Sequence, residues 1–315
     1  RHEVVTGPLT RRGGTQHDRV GARWLFVHET TAGPATAMRA GDGPVAVVEA
    51  CEAAGRQLLP APSGDEPVRA TTAGVGELLA RALDAGARQV LVCVGGTATT
   101  DGGWGAIAAL AGDGPAHRVL ERARNRLSDV HLVVAADVVT TFLTAARVYA
   151  PQKGASSEQV VLLEDRLAEL SERFRDELGF DVEGIRGTGA GGGLAGGLTA
   201  IGAVIVEGFP LFAQVSELER RLEGADLVMT GEGRLDETSF AGKVVGGVLS
   251  ALGGTLPALC IAGEVTPDAE RALATRPAPV EVVSLVDLVG RQRAVEGTES
   301  AIEAAVFASL ASGGA

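Results

Sequence analysis

The sequence predicts an α/β fold built on parallel β-sheet, because strand-like apolar runs alternate along the chain with segments of helical periodicity. Between these runs, apolar residues recur every three or four positions, which is the spacing of an amphipathic helix. Strands that alternate with helices are typical of a doubly wound parallel sheet. The 315 residues are enough for two domains of ordinary size. The strand-like runs cover residues 45–49, 88–94, 131–137, 225–229, 256–262 and 280–285.

The composition argues against several classes of partner. A formal net charge of -12 disfavours a nucleic acid or an anionic membrane as the main partner. No apolar run approaches the roughly 18 residues of a membrane span. The cysteines, Cys51, Cys93 and Cys260, form no C-x-x-C pair, and we interpret them as small buried apolar residues in a reducing compartment. We therefore expect a cytoplasmic protein whose partners are small molecules.

The amino-terminal part of the chain is polar and broken by glycines. Within residues 1–44 the one strand candidate is 22–27, and residues 60–67 have the composition of a surface loop. Thr71 and Thr72 are candidate caps for a helix that Gly86 would end.

The clearest predicted helix follows Ser156. Ser156 and Gln159 have the spacing of a capping box, and Gly179 follows the last apolar residue of the periodic segment. Further helices are predicted at 211–223, from about residue 242, and at about 298–312.

The sequence GGTATTDGG, residues 95–103, lies between a strand and a helix and is called the 95–103 loop below. Ligands bind at the carboxyl ends of strands in open α/β sheets, and helix starts present N–H groups that suit anions. The alternative is a tight turn with a capping Asp. Asp137, at the end of the 131–137 run, is likewise either a metal ligand or a cap. The candidate binding residues of the loop are Gly95, Gly96, Thr97, Thr99 and Asp101.

A second glycine-rich stretch, the 187–197 run, contains matches to G-x-G-x-x-G. That fingerprint needs a hydrophobic strand just before it, and residues 181–186 make a poor one. A nicotinamide-dependent oxidoreductase is therefore disfavoured. The backbone N–H groups of Gly189, Gly191 and Gly192 could still cradle a phosphate or a carboxylate.

A third stretch combines charges with glycines after the 225–229 strand. It contains Gly231, Glu232, Gly233, Arg234 and Asp236, and Lys243 follows. Arg and Lys hold carboxylate or phosphate, whereas Asp and Glu hold Mg²⁺ or accept a proton. The alternative is a salt-bridged surface turn, but glycines beside charges favour close approach of a ligand. The histidines cluster with nothing, which disfavours a zinc site or a histidine-based catalyst.

Taken in order, these motifs give a specific resemblance. The 95–103 loop resembles the GGSATNDGG segment of bacterial glycerate kinases of the first type. Residues 151–155 resemble that family's PQKGA, residues 189–194 its GAGAAGGL, and residues 5–9 its VTGPL. Residues 225–236, followed by Gly242 and Lys243, resemble its ADLVITGEGRxD…GK.

The resemblance implies the glycerate kinase type 1 fold, in which a second α/β domain is inserted into a Rossmann-like parallel sheet. Here residues 1–223 would be the inserted domain and residues 224–315 the carboxyl-terminal part of the Rossmann-like domain. The implied reaction is ATP-dependent phosphorylation of D-glycerate to 2-phosphoglycerate with Mg²⁺; whether the protein is a homodimer is left open.

The resemblance also assigns roles to residues. Asp101, Asp236, Arg234 and Lys243 would be catalytic, and Asp137 and Asp236 would hold the metal. We expect Asp101→Ala to abolish turnover with little loss of folding. The substrate and nucleotide would bind at Gly95, Gly96, Thr97, Thr99, Lys153, Gly189, Gly191, Gly192, Gly231, Glu232 and Gly233.

The sequence also departs from the family pattern. Thr100 replaces the usual Asn, the segment after Asp137 lacks the family's Asn-Pro, and the family's SFKGS-like and ADGGEGT-like loops are not found. The alternative is therefore a catalytically inactive binding relative or a truncated kinase.

Overall fold

The computed structural model of the protein describes residues 1–10, 17–27, 43–59, 64–240, 244–254, 256–277 and 279–311. The chain divides into two compact units, Arg1–Gly208 and Phe209–Ala315. Each unit has a β-sheet with parallel strands and helices, so the predicted α/β class is confirmed. The sequence placed a domain boundary after residue 223, whereas the compact units divide after Gly208.

The first unit contains a six-stranded mixed sheet in the order β1-β2-β3-β4-β5-β6. β1, β2 and β3 are antiparallel neighbours, and β3 to β6 run parallel. Its strands are β1 His2–Thr10, β2 His17–Val27, β3 Val45–Glu49, β4 Gln89–Cys93, β5 His131–Ala135 and β6 Val204–Val206. Its helices are α1 Ala50–Ala54, α2 Glu66–Arg69, α3 Ala73–Asp84, α4 Trp104–Ala111, α5 Ala116–Arg126, α6 Ala145–Tyr149, α7 Ser157–Leu178 and α8 Leu194–Ala200.

The sequence did not predict β1, because residues 2–10 carry no clean apolar alternation. This strand instead forms a hairpin with β2, in which Val5 pairs with Val20 and Val5 is fully buried. The pairing gives the amino-terminal part of the sheet an antiparallel edge.

The central strands of the first unit are apolar on both faces. In β4, Val90 and Val92 are fully buried on one face and Leu91 is buried on the other, and helices cover the sheet as expected for parallel strands. The carboxyl end of β4 leads into the 95–103 loop, which therefore rests on a rigid, buried strand.

The predicted end signals of two helices are confirmed. The Ser156 hydroxyl accepts a hydrogen bond from the Gln159 N–H, and the Gln159 side chain accepts one from the Ser156 N–H, which completes the capping box of α7. Gly179 follows with φ 63°, and Gly86 follows α3 with φ 95°. Glycine adopts this left-handed conformation without a steric cost, which stops each helix.

The second unit contains a three-stranded parallel sheet in the order β7-β8-β9. Its strands are β7 Val228–Leu235, β8 Ala258–Val265 and β9 Val280–Ser284. Its helices are α9 Gly208–Val215, α10 Leu218–Leu222, α11 Val244–Ala251, α12 Pro267–Ala274, α13 Leu285–Val289, α14 Arg291–Glu296 and α15 Thr298–Ala311. Single 3₁₀ turns occur at Arg56–Leu58, Pro151–Lys153 and Glu237–Phe240.

Two predictions for the second unit were wrong. The single helix expected at 211–223 is two helices, α9 and α10, which Glu217 separates with a left-handed φ of 51°. The strand expected at 225–229 continues to Leu235, so Gly231, Glu232 and Gly233 lie on β7 and not in a loop.

Cys260 lies in the core beside β7, and its burial raises the pKa of its thiol to about 11. Cys51 and Cys93 are only half-buried, in contrast to the buried positions predicted for them. Among the described helices, none combines the length and the apolar composition needed to cross a bilayer.

Candidate functional site

The 95–103 loop is held by backbone hydrogen bonds on its first half. The Arg56 N–H donates to the Gly96 carbonyl at 3.1 Å, and the Ala98 N–H donates to the Ala54 carbonyl at 2.8 Å. As a result Gly95 and Gly96 are exposed, whereas Thr97 and Thr99 are buried. The loop therefore presents bare backbone to solvent and turns its hydroxyls inward.

Asp101 accepts five hydrogen bonds from its own unit. Its Oδ2 accepts from the Thr72 N–H at 2.8 Å, the Thr72 hydroxyl at 2.9 Å, the Gly105 N–H at 3.2 Å and the Thr71 hydroxyl at 3.5 Å. Its Oδ1 accepts from the Gly103 N–H at 3.1 Å. The carboxylate thus joins the amino-terminal ends of α3 and α4, and this bonding implies that Asp101→Ala costs stability, in contrast to the small loss of folding expected from the sequence.

Sequence reasoning missed the part that Thr72 takes in this arrangement. Thr72 is fully buried, and its hydroxyl donates to Asp101 and accepts from the Ala106 N–H at 2.9 Å. Its side chain makes no cap bond to α3; the Thr71 hydroxyl accepts the Ala73 N–H instead, at 3.2 Å. Nothing in the local sequence distinguishes this contact from an ordinary helix cap, because its partner lies far along the chain.

Lys153 extends beneath the 95–103 loop and is 8% exposed. Its Nζ donates to the Thr99 carbonyl at 2.5 Å, and no other described residue accepts a hydrogen bond from it. Burial lowers the pKa of the ammonium from 10.5 to about 8; the Asp101 carboxylate acts against this shift, and the Arg56 guanidinium adds to it. An ammonium has three donors, so Lys153 retains hydrogen-bonding capacity that the described residues do not use.

Thr99 carries a second unsatisfied polar group. Its Oγ1 is buried and has no hydrogen-bond partner among the described residues. The carbonyl of the same residue accepts from Lys153, so the two incompletely bonded groups lie close together. Because an unpaired buried hydroxyl costs free energy, this pair is typical of a site that a ligand completes.

The glycines of the 187–197 run pack against the protein's own backbone. A Cβ on Gly192 would lie 2.0 Å from the Thr99 carbonyl oxygen, and one on Gly189 would lie 2.6 Å from the Thr141 carbonyl oxygen. A Cβ on Gly191 would lie 3.1 Å from the Val94 carbonyl oxygen. Close packing of loops therefore accounts for these glycines, and binding of an anion at them stays a prediction. No strand precedes the run within the described residues 178–193.

Asp137 lies just beyond the carboxyl end of β5. It is exposed, and its Oδ1 accepts the Gly208 N–H at 2.6 Å, at the start of α9. This contact is with a residue 71 positions along the chain, so Asp137 is not shown to cap the segment that follows it, and a role as metal ligand remains a prediction.

The predicted residues of the second unit lie along and just after β7. Asp236 Oδ1 accepts from the Thr238 N–H at 2.9 Å and from the Thr238 hydroxyl at 2.6 Å. The Arg234 side chain is 63% exposed, with its Nε 3.9 Å from Asp236 Oδ2. Lys243 lies outside the described residues.

Glu232 faces the opposite side of the sheet from its two glycine neighbours. It pairs with Ala262, and its negative charge contributes to the raised pKa of the Cys260 thiol, so its carboxylate lies near Cys260. Its Oε1 is buried and unpartnered within the described ranges. Across those ranges, no group of three or more His, Cys, Asp and Glu side chains is arranged to hold a metal ion.

The composition of the chain points to Lys153 independently of the family resemblance. The chain has 28 basic residues, of which only Lys153 and Lys243 are lysines. Lysine titrates readily when buried, unlike arginine, so a lysine in a chain that otherwise uses arginine is a good candidate for a specific role.

Comparison with known proteins places these motifs in context. The sequence model of the glycerate kinase family matches residues 14–308. Glycerate 2-kinase of Escherichia coli is 34% identical over 290 residues, which cover 85% of this chain and 71% of that protein. Glycerate kinase of Bacillus subtilis is 35% identical, over 72% of this chain and 65% of that protein.

A protein of Mycobacterium bovis is 39% identical over 84% of this chain, and the match spans 64% of that protein's length. Among solved structures, a protein described as glycerate kinase 2 from Salmonella typhimurium superimposes with a TM-score of 0.65. It is 30% identical, and the match covers 99% of this chain and 83% of that chain.

Proposed function

Because this chain belongs to the glycerate kinase family, we propose that it transfers a phosphoryl group from ATP to D-glycerate and yields 2-phosphoglycerate. Glycerate is a small carboxylate, and phosphoryl transfer depends mainly on positioning and on stabilisation of negative charge. A protein that performs this reaction needs cationic and N–H donors in a partly dry site.

The observation that carries the proposal is the incompletely bonded Lys153 ammonium beneath the 95–103 loop. A buried cation with one backbone acceptor attracts an oxyanion, because its charge is poorly screened there. The Thr99 hydroxyl adds a second unsatisfied group at the same place. Together they support binding of a carboxylate or phosphoryl oxygen, the two anionic groups of this reaction.

Gly95 supports close approach of a ligand to the loop. Its φ is not in the left-handed region, and a Cβ there would meet nothing within 4 Å among the described residues. Neither backbone conformation nor packing therefore explains a glycine at this position. A ligand that approaches the backbone closely does explain it.

ATP and Mg²⁺ are part of the proposal. When bound, Mg²⁺ neutralises phosphate charge, and it takes few protein ligands, usually one or two carboxylates, beside water and phosphate oxygens. The carboxylate of Asp236 beside the Arg234 guanidinium is a donor set of the kind that phosphate and magnesium require. The Asp137 carboxylate, which is exposed at a strand end, is the second proposed metal ligand.

The proton of the attacking hydroxyl also needs an acceptor. Asp101 already accepts five hydrogen bonds, so the protein's own donors occupy both of its carboxylate oxygens. We therefore propose that Asp236 accepts the proton of the attacking hydroxyl and that Asp101 supports the 95–103 loop.

The experiment that tests this function is a turnover assay. Protein is mixed with ATP, Mg²⁺ and D-glycerate, formation of ADP is followed, and ³¹P NMR identifies the phosphorylated hydroxyl. We expect ADP to form only when D-glycerate is present, with 2-phosphoglycerate as product. Binding of glycerate and ATP in a calorimeter without turnover would contradict the kinase activity and indicate an inactive binding relative.

The remaining expectations depend on this function. We propose that the protein works in the cytoplasm on small molecules, and we leave open whether it forms a homodimer, which light scattering on the purified protein measures directly.

A further inference from the structure

The second unit contains a cavity of about 790 Å³ against one face of the β7-β8-β9 sheet. It lies between β7 and β8 on one side and helices α13, α14 and α15 on the other. Its volume is in the range of pockets that hold drug-sized ligands and cofactors. Gly231, Glu232 and Gly233, for which the sequence predicts binding of substrate or nucleotide, lie along its β7 side.

The floor of the cavity is bare backbone. Alternate residues of a strand face the same side, so Met229, Gly231 and Gly233 share the face of β7 that borders the cavity. Gly231 pairs with Ile261 of β8, and Gly263 continues the floor on that strand. Three glycines on two neighbouring strands leave a flat surface of peptide groups.

Gly233 is a glycine that the protein's own structure does not explain. A Cβ on Gly231 would lie 2.0 Å from the Ile261 carbonyl oxygen, and one on Gly263 would lie 2.5 Å from the Gly233 carbonyl oxygen, so packing requires both of these glycines. A Cβ on Gly233 would meet nothing within 4 Å among the described residues, and its φ is not left-handed. Glycine weakens a strand, and its presence inside one marks a place where a ligand or another backbone approaches.

The walls of the cavity are apolar and its rim is charged. Leu285, Ile302 and Val306 contribute the apolar walls. At the rim, Arg291 Nη2 donates to Glu264 Oε1 at 2.9 Å, and Arg291 remains 68% exposed. An exposed ion pair contributes little to stability, so Arg291 can exchange this partner for a ligand anion at small cost.

We propose that this cavity binds the nucleoside of the nucleotide cosubstrate, with the purine ring over the glycine floor and Arg291 available to a phosphate. The identification of the ligand rests on the proposed kinase function. A flat ring suits a floor without side chains, and its apolar faces suit the aliphatic walls. Glycerate has no apolar surface to bury, so the cavity fits the nucleotide and not the acid.

The test is direct calorimetric titration of adenosine and ATP into the wild-type protein and into Gly233→Val. Valine suits a β-strand, and the space beside Gly233 is open, so the variant should fold with an unchanged or higher melting temperature. We expect its affinity for both adenosine and ATP to fall by about tenfold or more, because the new side chain occupies the floor. A folded Gly233→Val variant that binds adenosine as tightly as the wild type would overturn the proposal.

A second variant tests the rim. Arg291→Gln should weaken the binding of ATP and leave the binding of adenosine unchanged. The matched control is Arg271→Gln, which removes an exposed arginine paired with Asp268 on α12, outside the cavity. Equal loss of ATP affinity in both arginine variants would contradict a specific role for Arg291.

These measurements distinguish a failure of the cavity assignment from a failure of the proposed kinase function. If ATP binds and Gly233→Val abolishes that binding, but no ADP forms with D-glycerate, the kinase function fails and the cavity assignment stands. If ADP forms and the KM for ATP is unchanged in Gly233→Val, the cavity assignment fails and the kinase function stands.

Discussion

Replacement of Lys153 by methionine should make the protein more stable and less active. Burial lowers the pKa of Lys153 from 10.5 to about 8. At about 1.4 kcal/mol per pKa unit, keeping this ammonium charged in the folded protein costs about 3 kcal/mol. Methionine removes that cost but also removes the hydrogen bond to the Thr99 carbonyl, worth about 1 kcal/mol. The net gain in the free energy of unfolding is therefore about 2 kcal/mol at pH 7.

The difference between the folded and unfolded pKa of Lys153 determines how the stability gain of Lys153→Met changes with pH. The unfolded chain holds the Lys153 proton up to its ordinary pKa of 10.5, whereas the folded protein releases it near pH 8. Between these values the unfolded state binds more protons, so this group makes the wild type more stable as the pH rises from 8 to 10.5. The advantage of Lys153→Met should therefore be fully present below pH 8 and disappear as the pH approaches 10.5.

Urea unfolding of both proteins at pH 7 and pH 10 measures this difference. The matched control is Arg166→Met, because Arg166 Nη1 also donates to a backbone carbonyl, that of Val68, but is exposed to solvent; its effect should stay within about 0.5 kcal/mol. Since the chain has only two lysines, ¹³C-methyl labelling also gives the pKa of Lys153 directly by NMR. A measured pKa near 10.5, or a Lys153→Met variant that is less stable than the wild type at pH 7, would refute the reasoning.

Three further variants test separate parts of the first unit. Asp101→Ala should lower the free energy of unfolding by about 2–4 kcal/mol, because it leaves the donors at two helix starts without their acceptor; unfolding in urea measures this, and an unchanged midpoint would contradict the bonding described. Ser156→Ala should cost about 1 kcal/mol through loss of the capping box and leave turnover unchanged; an activity loss in the folded variant would connect α7 to the site. Gly192→Ala should lower the melting temperature strongly, since its Cβ would lie 2.0 Å from a carbonyl oxygen and its φ is 70°; wild-type stability would show that the two loops can separate.

The sequence predicted most strands and helices correctly where periodicity and end signals agreed. The capping box at Ser156 and the left-handed Gly179 are local features, and local sequence is sufficient to identify them. The sequence prediction ended this strand at residue 229 and assigned the rest of β7 to a loop, for a physical reason. It pairs only with β8 in the described sheet, so its exposed positions carry glycines and charges in place of a continuous apolar run.

The candidate site was predicted in its residue types but not in their contacts. Motif reasoning identified Lys153, Asp101 and Thr99 as functional candidates. It could not assign Asp101 to the two helix starts, because Thr72 lies 29 residues earlier in the chain. It also could not distinguish Gly192, which packing requires, from Gly95 and Gly233, which packing does not require. That distinction depends on which atoms surround each glycine, and the sequence does not contain it.

The contact between the two glycine-rich loops has a consequence for how the chain acquires its binding surface during synthesis. The Gly102 N–H donates to the Gly192 carbonyl at 3.1 Å, and Gly197 packs against the Gly102 carbonyl. The 95–103 loop thus takes part of its support from residues that leave the ribosome much later. A nascent chain that ends before the 187–197 run can form β4 and α4, but its loop is still open on one side. Affinity for the anion proposed to bind at the 95–103 loop should therefore arise abruptly, at the chain length that first exposes Gly192 and α8, and not gradually as each strand is added.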